Sequence, residues 1–220
     1  MTTSAILLSG GQGLRMQGPT PKQYLPLQGK PIILHALEAL LAFDAWQEIA
    51  IVCEQEYEPL FSPYTSRASL CFARPGKTRQ DSVWQGIKAL TLPCHSVCIH
   101  DGARPLLQKE ELLAVLREGQ SMGAAALAVP VRSTIKEVRS DRSIQKTLDR
   151  ALLWEMQTPQ VVHYDLLCQG LTMQTPVTDD ISLAEQLGHP SKVVLGSYSN
   201  IKITTQEDLL LAEILCSRIK

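Results

Sequence analysis

Short continuous apolar runs alternate along this chain with stretches in which apolar residues recur at helical spacing. Ser4–Ser9 (SAILLS) is one such run, closed by glycines, and reads as a central strand covered on both faces. Ile32–Phe43 (IILHALEALLAF) has helical composition and Glu48–Cys53 (EIAIVC) reads as the next strand, which predicts a βαβ unit. The alternation continues with a strand over Leu70–Arg74, a helix over Arg79–Leu90, a strand over Ser96–His100, a helix over Lys109–Glu118 and a strand over Ala124–Val129. Strands joined by helical crossovers pair in parallel, so the expected fold is α/β: a Rossmann-like, mostly parallel sheet of at least five strands flanked by helices.

The rhythm changes at Val131. STIKEV and IQKTLD flank the polar turn RSDRS, the pattern of a β-hairpin rather than another crossover, and predict an arm over about residues 132–152. An isolated two-stranded ribbon is marginal in water, so a second copy of the chain is the economical cover and a homodimer is expected. Beyond it, MQTPQVV reads as strand or loop, Tyr164–Leu171 and Asp180–Leu187 as helices, KVVLGS and NIKIT as strands, and Gln206 as the start of a terminal helix. With no repeat, low-complexity tract or linker, residues 1–220 read as one domain carrying an arm.

Composition narrows the function. With 45% hydrophobic residues in 220 the chain can build a core without disulfides, and its six cysteines sit mostly in apolar runs as reduced thiols. Cys94 and Cys98 lie near His95 and His100 but lack the paired spacing of a zinc cage. The amino terminus shows no leader pattern and no apolar run reaches membrane-spanning length, so a cytoplasmic protein that does not engage membranes is expected. Net charge is −1, with 21 basic against 22 acidic residues, so no global field draws the chain to nucleic acid; any polyanion must be held locally.

A local means is present directly after the first strand. Gly10, Gly11 and Gly13 let backbone amides close around phosphate oxygens, and Arg15 and Lys22 add charge. The segment lacks both the G-K-[ST] ending of a P-loop and the G-x-G-x-x-G spacing of a dinucleotide fold, which argues against an oxidoreductase. HDGARP follows an apolar strand and places Asp101 and Gly102 at the carboxyl end of the sheet, where open α/β folds bind ligands. There Asp101 either orients a divalent ion, directly or through water, or caps its loop; Arg104 either grips a phosphate bidentately or pairs with Asp101.

The glycine string resembles the amino-terminal signature of the sugar-nucleotide pyrophosphorylase superfamily. In order along nearly the whole chain, PKQYLPLQGKPIILHAL, TRQDSVWQGI, HDGARPLL, VPVRSTIKEV, LDRALLWEMQTPQVV, TDDISLAEQLG and NIKITTQEDLLLAE resemble the 2-C-methyl-D-erythritol 4-phosphate cytidylyltransferase family. The loop departs slightly, with LSGGQG where that family more often has two alanines before the glycine. The resemblance implies a reaction of CTP with a small polyol phosphate, aided by Mg2+. It also implies that Lys22 and Lys202 flank the α-phosphate, with Arg15 beside the triphosphate. Gly76 and Ser82 of PGKTRQDS would join Gly10, Gly11, Gly13, Asp101 and Gly102 in holding the nucleotide. Arg104, Thr134, Lys136, Arg150, Thr158 and Asp179 would hold the acceptor, with Arg150 reaching across from the opposite subunit. Taken alone, Lys202 also suits an edge-strand lysine, Asp81 and Ser82 a helix first turn, and the hairpin residues a solvated surface. Ribitol 5-phosphate as acceptor and a non-catalytic nucleotide-binding relative are the rival readings.

Overall fold

The computed structural model describes residues 1–11, 20–173 and 175–219. Gly13 and Arg15 of the glycine loop lie outside them. The elements in order are β1 (Thr3–Leu8), β2 (Pro26–Leu27), β3 (Lys30–Pro31), α1 (Ile32–Leu40), β4 (Trp46–Val52), β5 (Leu70–Ala73), α2 (Arg79–Ala89), β6 (Ser96–Asp101) and α3 (Lys109–Met122). There follow β7 (Ala124–Pro130), β8 (Lys136–Val138), β9 (Ile144–Thr147), β10 (Trp154–His163), α4 (Tyr164–Thr172), α5 (Ile181–Gln186), β11 (Lys192–Leu195) and α6 (Gln206–Ile219).

Seven strands form the main sheet in the order β11-β7-β10-β6-β1-β4-β5. β1 pairs in parallel with both β4 and β6, β4 with β5, and β11 with β7. β10, which the sequence left open between strand and loop, inserts antiparallel between β6 and β7. The expected mostly parallel α/β sheet is therefore present, with one reversed strand inside it.

Alternation along each strand divides the core into two layers, because successive side chains leave a pleated strand on opposite faces. Ala5 and Leu7 of β1 and Ile49 and Ile51 of β4 pack with Ile33, Leu37, Leu112 and Val115 of α1 and α3. Ile6, Ala50 and Val52 point the other way, against Val83 and Ile87 of α2. Burial on both faces explains why these strands read as unbroken apolar runs.

Two details differ from the sequence reading. NIKIT forms no strand. Ile203 is fully buried in a third cluster with Leu27, Ile32, Leu106 and Ala212, and its N–H donates to the Ala103 carbonyl at 2.9 Å. The apolar alternation of that segment is satisfied by packing instead of sheet pairing, which removes the edge-strand explanation of Lys202. A 3-10 segment over Gln55–Tyr64, absent from the sequence reading, crosses one sheet face and buries Phe61 beside Phe72.

The hairpin is present. β8 and β9 pair antiparallel as a separate two-stranded sheet, with Lys136 opposite Thr147.

Phe61 is a single anchor on an irregular segment, so its removal leaves a cavity the surroundings cannot readily close. Phe61→Ala is expected to cost about 3–5 kcal/mol of stability, measured as a lower urea midpoint with an unchanged denaturant slope.

Candidate active site

The chain runs from β1 outward to β4 and β5, then returns to place β6 on the other side of β1. Loops that leave two neighbouring parallel strands in opposite directions open a crevice at their carboxyl ends. Leu8 and Asp101, the last residues of these strands, lie side by side in register. A cavity of about 750 Å³ opens here, a size suited to a small-molecule substrate.

Two loops wall this cavity over a charged floor. The first carries Gly10 and Gly11 after β1 and is fixed by the 3-10 turn Lys22–Tyr24. Gln23 is buried and its Nε2 donates to the carbonyls of Ser9 at 2.6 Å and Gly11 at 3.0 Å. Ser9 Oγ donates to the Tyr24 hydroxyl at 2.6 Å, and the Tyr24 ring stacks on Tyr57 with centroids 3.5 Å apart. Lys22, which lines the cavity, is thus carried on a turn tied to the backbone it faces.

The second wall is the Gly76–Ser82 segment. Thr78 caps α2 and Asp81 reciprocates, a capping box that accounts for the T-x-x-D spacing in the sequence. The Gly76 N–H donates to Ser82 Oγ at 3.0 Å, and that hydroxyl donates to the Thr78 carbonyl at 2.9 Å. A Cβ on Gly76 would sit 2.2 Å from Asp81 Cβ and 2.7 Å from its carbonyl carbon, so only glycine lets the loop fold onto the helix. Lys77 and Arg79 add two cations to the lining.

The floor is Asp101, only 7% exposed. Lys202 Nζ lies 2.6 Å from its Oδ2, Arg79 Nε 3.4 Å from its Oδ1 and Arg104 Nε 3.8 Å from its Oδ2. Burial alone would raise the pKa of Asp101, but Arg79, Lys202 and Arg104 together outweigh it and hold the carboxyl well below the usual carboxylate range. Arg79 is itself clamped by Asp180, with two donors at 2.9 and 2.8 Å to the two carboxylate oxygens. Among the described residues, four cationic side chains, Lys22, Lys77, Arg79 and Lys202, thus line the cavity against one carboxylate, on a chain of net charge −1.

Beneath Asp101 runs a hydrogen-bond chain. The Asp101 N–H donates to Thr158 Oγ1 at 3.0 Å, and Thr158 Oγ1 lies 3.0 Å from His100 Nδ1. His100 Nε2 lies 3.1 Å from the Arg104 carbonyl. A carbonyl only accepts, so Nε2 carries the proton, Nδ1 is bare and the Thr158 hydroxyl donates to it. Arg104 donates to the carbonyls of Asn200 at 2.7 Å and Met156 at 3.5 Å, and the buried Asn200 amide donates to the Thr158 carbonyl at 2.9 Å.

Gly10, Gly11, Lys22, Gly76, Ser82, Asp101 and Lys202 therefore converge on one cavity. Gly102 underlies it, its N–H donating to the Leu8 carbonyl at 2.8 Å. Thr158 and Arg104 point their polar atoms inward at Asp101 and neighbouring carbonyls. Asp179 Oδ1 accepts from the Ser182 N–H at 3.0 Å at the start of α5. Thr134, Lys136 and Arg150 are exposed on the arm and do not line the cavity; Arg150 Nη1 donates to the Arg132 carbonyl at 2.6 Å. Arg79, Asp180 and Gln23 went unassigned in the sequence, although Arg79 and Asp180 sit within the quoted strings TRQDS and TDD.

The family model described as IspD, 2-C-methyl-D-erythritol 4-phosphate cytidylyltransferase, matches residues 3–218. The chain belongs to the 2-C-methyl-D-erythritol 4-phosphate cytidylyltransferase family. A chloroplastic relative of that name from Oryza sativa subsp. japonica is 47% identical over 220 residues, covering 97% of this chain and 74% of the relative. One from Chlamydia muridarum is 42% identical over 222 residues, covering 99% and 97%. Among solved structures, 4-diphosphocytidyl-2C-methyl-D-erythritol synthase from Anaerococcus prevotii superposes with a TM-score of 0.85 at 28% identity, covering 98% of each chain. The cytidylyltransferase from Thermus thermophilus gives 0.78 at 28% identity, covering 99% of this chain and 100% of that one.

Burial pushes His100 down to about 4, against about 6.5 in an unfolded chain. As pH falls through that window the unfolded chain takes up a proton that the folded one refuses, so stability declines from pH about 6.5 toward about 4, by on the order of 3 kcal/mol from this group. Urea midpoints measured from pH 7 to pH 4.5 are expected to fall, and to fall less steeply in His100→Gln.

Proposed function

We propose that the chain joins CTP to 2-C-methyl-D-erythritol 4-phosphate, giving 4-diphosphocytidyl-2-C-methyl-D-erythritol and pyrophosphate. A phosphate monoester oxygen of the acceptor attacks the α-phosphorus of CTP, the bond from that phosphorus to the bridging oxygen of the β-phosphate breaks, and pyrophosphate leaves with the electron pair. The obstacle is repulsion between two polyanions, and the observation that carries the reading is the convergence of Lys22, Lys77, Arg79 and Lys202 on one cavity of an otherwise charge-balanced chain. Cations placed where charge develops lower the barrier without a nucleophilic side chain.

Lys22 and Lys202 line the same cavity from different segments, which suits them to act together on the α-phosphate. Gly10, Gly11 and Gly76 offer close backbone approach to the nucleotide, and Gly13 and Arg15 complete the glycine loop in this reading. Among the described residues no three His, Cys, Asp or Glu side chains gather as a metal cage. The lone carboxylate of Asp101 fits Mg2+, which keeps several waters and takes few protein ligands, and which when bound neutralises triphosphate oxygens. Family resemblance supports assigning Arg104, Thr158 and Asp179 to the acceptor side.

The arm fits a homodimer. It leaves Val138, Ile144 and Leu152 more than half exposed, an apolar surface suited to a second copy of the same ribbon. Arg150, which does not line the cavity of its own chain, then suits the acceptor site of the partner. No helix among the described residues is long and apolar enough to cross a membrane, and all six cysteines are free. Both fit a reducing aqueous compartment such as the cytoplasm.

Incubation with CTP, Mg2+ and each polyol phosphate, following pyrophosphate, tests the reaction: release with methylerythritol phosphate is expected, and release with ribitol phosphate alone would overturn it. Lys22→Ala is expected to lose about a hundredfold in kcat. Mixing Lys22→Ala with Arg150→Ala chains is expected to restore up to about a quarter of wild-type activity if subunits share sites, whereas no recovery would mean a self-contained site.

A further inference from the structure

Asp101 is surrounded by cations before any ligand arrives. Both carboxylate oxygens face positive charge, and the backbone N–H of the residue is taken by Thr158. The other carboxylate of the site, Asp180, is 2% exposed and occupied on both oxygens by Arg79. A divalent ion entering alone would meet four cationic side chains and, among the described residues that line the cavity, no carboxylate free of a cation, so one of the resident cations must leave to admit it.

The three cations around Asp101 differ in how firmly they are held. Arg79 is locked by its two-point contact with Asp180, and Arg104, with a side chain 12% exposed, is anchored on the carbonyls of Asn200 and Met156. Lys202 has a side chain 38% exposed, its Nζ meets Asp101 alone among the described residues, and its stem is a flexible alkyl chain. Yet its backbone is fixed: Asn200 is buried on one side and Ile203 on the other, the latter bonded to Ala103. The ammonium can therefore swing while its root stays in place.

We infer that Lys202 is an exchangeable counter-ion of Asp101, which blocks divalent-ion binding in the nucleotide-free chain and passes to the phosphate oxygens when a metal–triphosphate takes over the carboxylate. Charge pairing is kept on both sides of the exchange: Asp101 trades an ammonium for a metal ion, and Lys202 trades a carboxylate for a phosphate. Metal then enters only together with nucleotide. The inference rests on the nucleotide reading above, and adds that the lysine placed beside the α-phosphate is held in waiting by the residue that receives the metal.

Binding of Mn2+ to the full-length chain, read from loss of the free-ion electron paramagnetic resonance signal, tests this without turnover. Nucleotide-free wild type and Lys202→Arg are expected to bind Mn2+ weakly. Lys202→Met and Lys202→Gln are expected to bind at least about tenfold more tightly, and adding Asp101→Asn to either should abolish the gain. Thermal melting establishes that each variant is folded; two neutral replacements guard against loss of one. Equal Mn2+ affinity in wild type and both neutral variants overturns the inference, as does a gain that survives Asp101→Asn. A separate arm adds CTP to wild type: if it creates no Mn2+ site beyond that of CTP in buffer while the neutral variants still gain one, the nucleotide reading fails and the counter-ion role of Lys202 stands.

Discussion

A carboxylate buried at the end of a strand is unfavourable unless positive charge meets it, and Asp101 is met from three directions. Arg79 arrives from the first turn of α2, Arg104 from the turn after β6, and Lys202 from the segment before α6. Those three residues span much of the chain, so the ion cluster is also the point at which separate loops are registered against one another. Removing one partner from such a cluster leaves charge buried and uncompensated, which is the costly case for a buried pair. The geometry of the cavity follows from it, since two of the cations that stabilise the carboxylate, Arg79 and Lys202, also line the cavity.

Neutral hydrogen bonds support the cluster. Thr158 and His100 link the Asp101 amide to the Arg104 carbonyl, and Asn200 ties the same corner to the segment that carries Lys202. On the other wall, Ser82 holds the Gly76 amide and Gln23 holds the carbonyls of Ser9 and Gly11. Several residues of the site strings thus act on backbone groups of their neighbours, and their polarity serves to shape loops that contain few regular hydrogen bonds of their own.

The arm obeys a different constraint. Among the described residues its two strands pair with each other alone, it carries exposed apolar side chains and it contributes nothing to the lining of the cavity. A ribbon of that kind gains little from its own chain. The main sheet instead derives its stability from two apolar layers that leave its carboxyl edge as the place where loops converge.

The alternation of strand and helix was legible in the sequence because continuous apolar runs such as SAILLS and EIAIVC are what burial on both faces requires. The position of the glycine loop and of Asp101 at the carboxyl edge of the sheet was legible for the same reason, since each follows a strand of predictable direction; Gly76 was reached through the family resemblance. NIKIT shows the limit, since an apolar alternation cannot by itself distinguish pairing in a sheet from packing in a cluster. Arg79 and Asp180 are separated by 101 positions, and their two-point contact is a matter of which faces the folded chain presents. The hydroxyl of Thr158 faces His100 and the Asp101 amide, 57 positions from the latter, an arrangement that no local pattern displays. Sequence by itself thus determined the layered fold, the family and part of the charged set of the site, Lys22, Asp101 and Lys202 among them, but not Arg79 or Asp180. Which charges meet, and which polar groups face inward, was decided only by long-range packing, because hydrophobic periodicity is a local signal and ion pairing across loops is not.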